Sequence, residues 1–194
     1  LAGGATAVRD TEPQTLQWIA EREGDNTFRI IDFFASEDGR AAHFAGQVAA
    51  ALQERSTELV EGGWDGGVVA NVRNSKLLSS VIRNASESPR PMLASYIEIT
   101  ARAGQEEALA AFLTGGAAIV EETEPGTLLW YAIRHDDSTF AIYDVFVDEA
   151  ARNAHFQGKV AAALRDSAAT LVNGGWDDGV VSNIVHADVL SIAY

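Results

Sequence analysis

The chain repeats itself. Shifted by 112 positions, residues 1–82 fall on 113–194 without a gap, and roughly half of the aligned positions are identical. TEPQTLQW (11–18) returns as TEPGTLLW (123–130), and TFRIIDFF (27–34) as TFAIYDVF (139–146). AAHFAGQVAAAL (41–52) returns as NAHFQGKVAAAL (153–164), and LVEGGWDGGVVAN (59–71) as LVNGGWDDGVVSN (171–183). A tandem duplication on this scale restricts the fold to one assembled from two like units. The expected boundaries are a first unit at 1–83, a polar linker NASESPRP at 84–91, and a second unit at 92–194.

The second repeat carries a full set of element signals. MLASYIEITA (92–101) alternates and is rich in β-formers, so it reads as a strand. GQEEALAAFLTGGAAIVEE (104–122) has helical spacing, with a break or kink expected at Gly115-Gly116. LLWYAIR (128–134) and TFAIYDVFV (139–147) read as strands joined by the turn HDDS. Residues 148–172 read as one long helix with acidic residues in its first turn and Gly174-Gly175 past its end, and 179–190 as a closing strand. The order β-α-β-β-α-β is the split βαβ, ferredoxin-like pattern, so the fold class is α+β. The first repeat starts at the equivalent of Leu113 and has no counterpart to 92–112. That strand would sit centrally in the sheet, so the expectation is that the chain is a shortened form of a longer one. The chain opens on Leu1 rather than Met, which leaves any leader segment open.

Composition narrows the function classes. Of 194 residues, 47% are hydrophobic and 22% charged, as in an ordinary globular protein. The formal net charge of −14 repels phosphate backbones and anionic lipid, so neither nucleic acid nor a membrane surface is an expected partner. The absence of cysteine excludes disulfides, thiolate metal sites and a cysteine nucleophile, and fits a cytoplasmic location. No apolar stretch reaches the ~18 residues of a membrane span.

The positions the repeats share follow strand geometry. Leu16, Trp18, Ala20 and Arg22 match Leu128, Trp130, Ala132 and Arg134; Phe28, Ile30, Asp32 and Phe34 match Phe140, Ile142, Asp144 and Phe146. Both sets alternate, so each lies on one face of its hairpin, the face expected to pack under that repeat's own helices. The intervening positions differ, as expected of a face that meets the other repeat. Asp32 and Asp144 stand on the shared face among Phe, Ile and Trp, where a carboxylate needs a partner or a raised pKa. Trp130 should lie across the hairpin from Asp144. Asp144 lies roughly 10 Å back along its strand, and His155 roughly 10 Å along the returning helix, so the two can meet. The same holds for Asp32 and His43. A carboxylate that fixes an imidazole tautomer is one way to build a general base, and a helix histidine bonded to a neighbouring strand is the plain structural alternative.

With that fold order, the F-x-I-x-D-x-F strand, the acidic helix start and the His of AHF, the chain resembles the antibiotic biosynthesis monooxygenase (ABM) family over nearly its whole length, as two tandem units. The resemblance implies that the two units pair through their sheets as an intramolecular dimeric α/β barrel, which leaves further self-association open. It implies oxidation of a small electron-rich aromatic, a quinol or anthrone, by O₂ with no metal or organic cofactor. Carried onto this chain, His43 and His155 would be base or donor, oriented by Asp32 and Asp144. Trp18, Trp130, Phe34 and Phe146 would bound the pocket, and Asn71 and Asn183 would be donors. Two other readings accompany the resemblance: a non-catalytic small-molecule-binding or stress-response barrel, and a haem-binding, haem-degrading relative.

Other features read more plainly. The repeated GGWD (62–65, 174–177) looks like a helix stop, with Trp64 and Trp176 expected to plug a seam. Gly3-Gly4 and Gly115-Gly116 lack the strand context of a nucleotide loop. His135 and His186 have no counterpart in the first repeat, so no repeated multi-histidine metal site is expected.

Overall fold

The computed structural model describes Leu1, residues 3–83 and residues 92–194, so the linker expected at 84–91 lies outside the described residues. These residues form two compact units. One comprises Leu1–Arg73 with Val189–Tyr194, the other Asn74–Asp188. The end of the first repeat thus belongs to the second unit, and the end of the second repeat to the first.

The first unit holds α1 (Gly4–Thr11), β1 (Thr15–Arg22), β2 (Phe28–Phe34), α2 (Glu37–Phe44) and α3 (Gln47–Leu59). β1 and β2 form an antiparallel hairpin with Trp18 opposite Asp32. Ser36 caps α2 by accepting from the Gly39 amide at 3.1 Å, satisfying one of the donors a helix start leaves over. The buried centre of the unit is Ala5, Val8, Trp18, Ala20 and Ala193, the last from the C-terminal segment.

The second unit holds β3 (Lys76–Ile82), β4 (Met92–Thr100), α4 (Glu106–Thr123), β5 (Thr127–Arg134), β6 (Thr139–Phe146), α5 (Glu149–Phe156) and α6 (Lys159–Leu171). The start of β7 (Ile184–Ala193) completes it. Its strands run in the order β7-β4-β6-β5-β3. The four strands of the second repeat therefore have the ferredoxin-like order, and β3 from the first repeat lies on the outer edge of β5. The β5–β6 turn is closed by Asp136, whose Oδ1 accepts from the amides of Ser138 (2.9 Å) and Thr139 (2.8 Å). Leu109, Leu113 and Val120 from α4, and Val160, Leu164 and Ala168 from α6, pack on Trp130, Ala132, Phe140 and Ile142. The shared face of this hairpin is the face under the helices.

Three expectations about elements change. The long helix expected over 148–172 is two helices, parted at Gln157-Gly158. The helix through Gly115-Gly116 is continuous from Glu106 to Thr123. Leu16 and Leu128 leave the alternation because each sits in a β-bulge, and Leu16 is 56% exposed. Among the described residues no helix is long and apolar enough to cross a membrane.

Candidate active site

In the second unit the sheet presents an acid to a helix. Asp144 lies in β6, opposite Trp130 of β5 and Ser95 of β4, and its side chain is fully buried. The end of α5 brings in His155, which is 4% exposed and whose Nε2 stands 3.7 Å from Asp144 Oδ2. That separation is within ion-pair range but longer than a hydrogen bond. Asp144 meets the histidine at the expected level, yet the hydrogen bond that orients the ring goes elsewhere. His155 Nδ1 donates to Glu124 Oε2 at 2.5 Å. The same oxygen accepts from Thr127 Oγ1 at 3.2 Å.

Glu124 was not singled out from the sequence, although the signal was present. Thr-Glu-Pro-x-Thr occurs at 11–15 and again at 123–127. Glu124 is the residue on which α4 ends, and its amide bonds back to Val120 O, which aims the side chain toward the start of β5. The glycine that parts α5 from α6 makes room for it. A Cβ on Gly158 would lie 2.8 Å from Glu124 Oε1. Gly158 has an ordinary negative φ, so the position needs the missing side chain rather than an unusual backbone.

The electrostatics follow from burial. Burial pushes the Asp144 carboxyl up to about 7; the adjacent His155 charge opposes the shift and Glu124 adds to it. For His155, burial alone lowers the pKa, but Asp144 and the hydrogen bond to Glu124 outweigh it and hold the imidazole above its ordinary value. Among the described residues neither Asp144 oxygen has a hydrogen-bond partner, nor do Glu124 Oε1 and Trp130 Nε1. Arg134, on the same hairpin face, binds Glu107 Oε1 at 2.8 Å and the carbonyls of Asp136 and Asp137.

His155 borders a narrow cavity of ≈ 30 Å³. Trp130, Phe112, Phe156, Trp176 and Ile142 line it, with Gly116 at the base of the Trp130 ring. The volume admits about two water-sized molecules. A ringed substrate must displace side chains, and Phe112, Phe156 and Trp176 are only half-buried. Trp176, expected at a seam, is part of this lining.

The first unit repeats the charged cluster. His43 Nδ1 lies 2.5 Å from Glu12 Oε2, its Nε2 lies 3.6 Å from Asp32 Oδ2, and Thr15 Oγ1 donates to Glu12 at 3.0 Å. Burial raises Asp32 to about 7, as it does Asp144. Gly46 stands to Glu12 as Gly158 does to Glu124, with a Cβ falling 2.5 Å from Oε1. Phe34 and Phe146 each lie 5.3 Å from their histidine, ring to ring. Trp18 is buried in the centre of its unit, as Trp130 is in the other. Asn71 and Asn183 are placed apart from these clusters. Both are exposed, on short 3₁₀ turns, with Nδ2 donating to Gly67 O (3.0 Å) and Gly179 O (3.1 Å). His135 bridges Ser75 Oγ (2.6 Å) and Tyr96 OH (2.7 Å), and His186 Nδ1 meets Ser95 Oγ at 2.9 Å.

The family model for antibiotic biosynthesis monooxygenase matches residues 92–167, from β4 into α6. The second repeat carries a domain of the antibiotic biosynthesis monooxygenase family. Among solved structures, FN1347 of Fusobacterium nucleatum, which carries the provisional name of a monooxygenase, is 17% identical with a TM-score of 0.76. The alignment covers 99% of this chain and 84% of that one. An anthrone oxidase-like protein is 14% identical over 95% of this chain and 81% of its own, with a TM-score of 0.50. NE2512 of Nitrosomonas europaea, a protein of unknown function, is 39% identical over 52% of this chain and 91% of its own, with a TM-score of 0.47. At these identities the first two show a common fold. No protein with a curated description matches the chain.

Proposed function

We propose that this ABM protein oxidises a small electron-rich aromatic of quinol or anthrone type with dioxygen, without a metal or organic cofactor. The observation that carries this reading is a buried imidazole held between two carboxylates at the wall of an apolar cavity. The family and the full-length likeness to an anthrone oxidase-like protein support it. The chemistry asks little more of the protein. A substrate that has lost a proton can pass electrons to O₂ itself, so what is needed is a dry pocket, a donor for developing oxygen charge and a route for protons. An activated methylene and O₂ give a hydroperoxide, which loses water to leave the carbonyl. One O₂ is consumed and one water released.

The test is oxygen consumption with an anthrone or dihydroquinone. The wild type should take up one O₂ per product formed, and His155→Ala should lower the rate by about 10²-fold or more, the scale of a lost proton-transfer group. The double variant His43→Ala/His155→Ala separates a contribution of the first unit. Equal rates for wild type and double variant would remove the histidines from the reaction. Binding without oxygen uptake would leave the chain a binding protein.

A further inference from the structure

In the second unit both nitrogens of the His155 ring face carboxylates. Nδ1 is 2.5 Å from Glu124 Oε2 and Nε2 is 3.7 Å from Asp144 Oδ2. With Glu124 accepting from Nδ1 and the two acids holding the imidazole above its ordinary pKa, the protonated ring is a double donor. A double donor has no site on which to accept a proton. The Nδ1–H is satisfied at short range. The Nε2–H is not, because 3.7 Å is beyond hydrogen-bond distance, and the ring is buried at a cavity wall. A charged donor at a cavity wall is open to an acceptor that a ligand brings. The first unit repeats the arrangement at 2.5 and 3.6 Å.

We infer that the cavity takes an aromatic bearing a ring hydroxyl in its ionised form, with the oxyanion accepting from Nε2–H of His155, and that Glu124 positions that donor. The inference rests on the proposed reading of the cavity as the substrate site and decides between the two roles the resemblance leaves to the ring: His155 is the donor to substrate oxygen rather than the base. The groups acting on the ring are Glu124 at the end of α4 and Asp144 in β6. Asp144 when ionised, and Glu124 through its hydrogen bond and charge, keep the imidazole cationic. Asp144, fully buried, supports an anion beside His155 only while its carboxyl is neutral. Its elevated pKa, about 7, provides that state up to neutral pH. The apolar remainder of the lining, including Trp130, Phe112 and Trp176, suits the ring face of the ligand.

The probe is 4-nitrophenol, whose anion absorbs at longer wavelength than the neutral phenol, titrated at about pH 6, where the free phenol is mostly neutral. The bound probe should show the phenolate spectrum. Glu124→Gln should weaken phenolate binding by about tenfold or more and leave 4-nitroanisole, which cannot ionise, unchanged; one tenfold step corresponds to about 1.4 kcal/mol. Asp144→Asn, neutral at every pH, should retain phenolate binding and extend it above pH 7. If Glu124→Gln does not fold, the wild-type spectrum and His155→Gln decide the matter. A bound probe with the neutral phenol's spectrum, no binding by the wild type, or equal phenolate affinity in wild type and variant would each overturn the inference. The probe is not turned over. Phenolate binding without oxygen uptake would sink the proposed reaction and leave this assignment standing, whereas oxygen uptake with a neutral bound probe would do the reverse.

Discussion

Asp144 titrates where water does not reach it. Its carboxyl ionises near 7 in the folded chain and near 3.8 when exposed, so the folded state holds a proton that the unfolded state has already released between those values. The stability this contributes is complete below about pH 4 and is lost as pH rises through about 7. His155 acts in the same direction. Its folded pKa is raised, so its contribution is complete below 6.5 and falls as pH rises through the folded value. Asp144→Asn removes the first effect. Thermal melts should show the variant gaining on the wild type from pH 5 to pH 8, and parallel curves for the two proteins would refute a raised Asp144. The meeting of Asp144 with His155 was legible from strand and helix rises alone. Glu124 was not, because a glutamate at a helix end looks like any solvated charge until the chain folds it back 31 residues onto a histidine.

At the scale of elements, the paired glycines of α4 separate two effects that sequence spacing cannot tell apart. Gly115 faces open space, while a Cβ on Gly116 would stand 2.9 Å from Trp130 Cη2, on a ring that is 1% exposed. Gly115→Ala should therefore stabilise by up to about 1 kcal/mol through helix propensity. Gly116→Ala should destabilise by about 1–3 kcal/mol through overpacking, with the same propensity gain offsetting part of it. Denaturant melts check both, and equal effects would contradict the Gly116–Trp130 contact. The pair reads as a helix break in the sequence because glycine is a poor helix former, but the tertiary contact at Gly116 overrides that preference. Gly158 shows the converse. Lying beside an alanine-rich run, it reads as part of one long helix, and the carboxylate it accommodates comes from a distant segment that periodicity does not reveal.

For the whole molecule, the duplication made most of the fold legible. It exposed the shared hairpin face and the recurrence of one Asp–His pair in each repeat, while strand and helix patterns supplied the order of elements. It did not show that each compact unit is completed by the closing segment of the other repeat, because strand pairing across long separations leaves no local sequence signal. The net charge of −14 is a property at this scale too. Self-repulsion of that size weakens the compact state and is screened by salt. At pH 8, raising NaCl from about 0.02 M to about 0.3 M should raise the melting midpoint, and a flat response would show that the acidic surface contributes no net repulsion.

The account turns on the charge state of one imidazole. Histidine-selective ¹⁵N NMR, with the His155 signals assigned by their loss in His155→Ala, reads it directly. Two acids facing the ring predict a His155 pKa above its ordinary 6.5, falling in Glu124→Gln. A His155 that titrates at or below the ordinary imidazole value would contradict it.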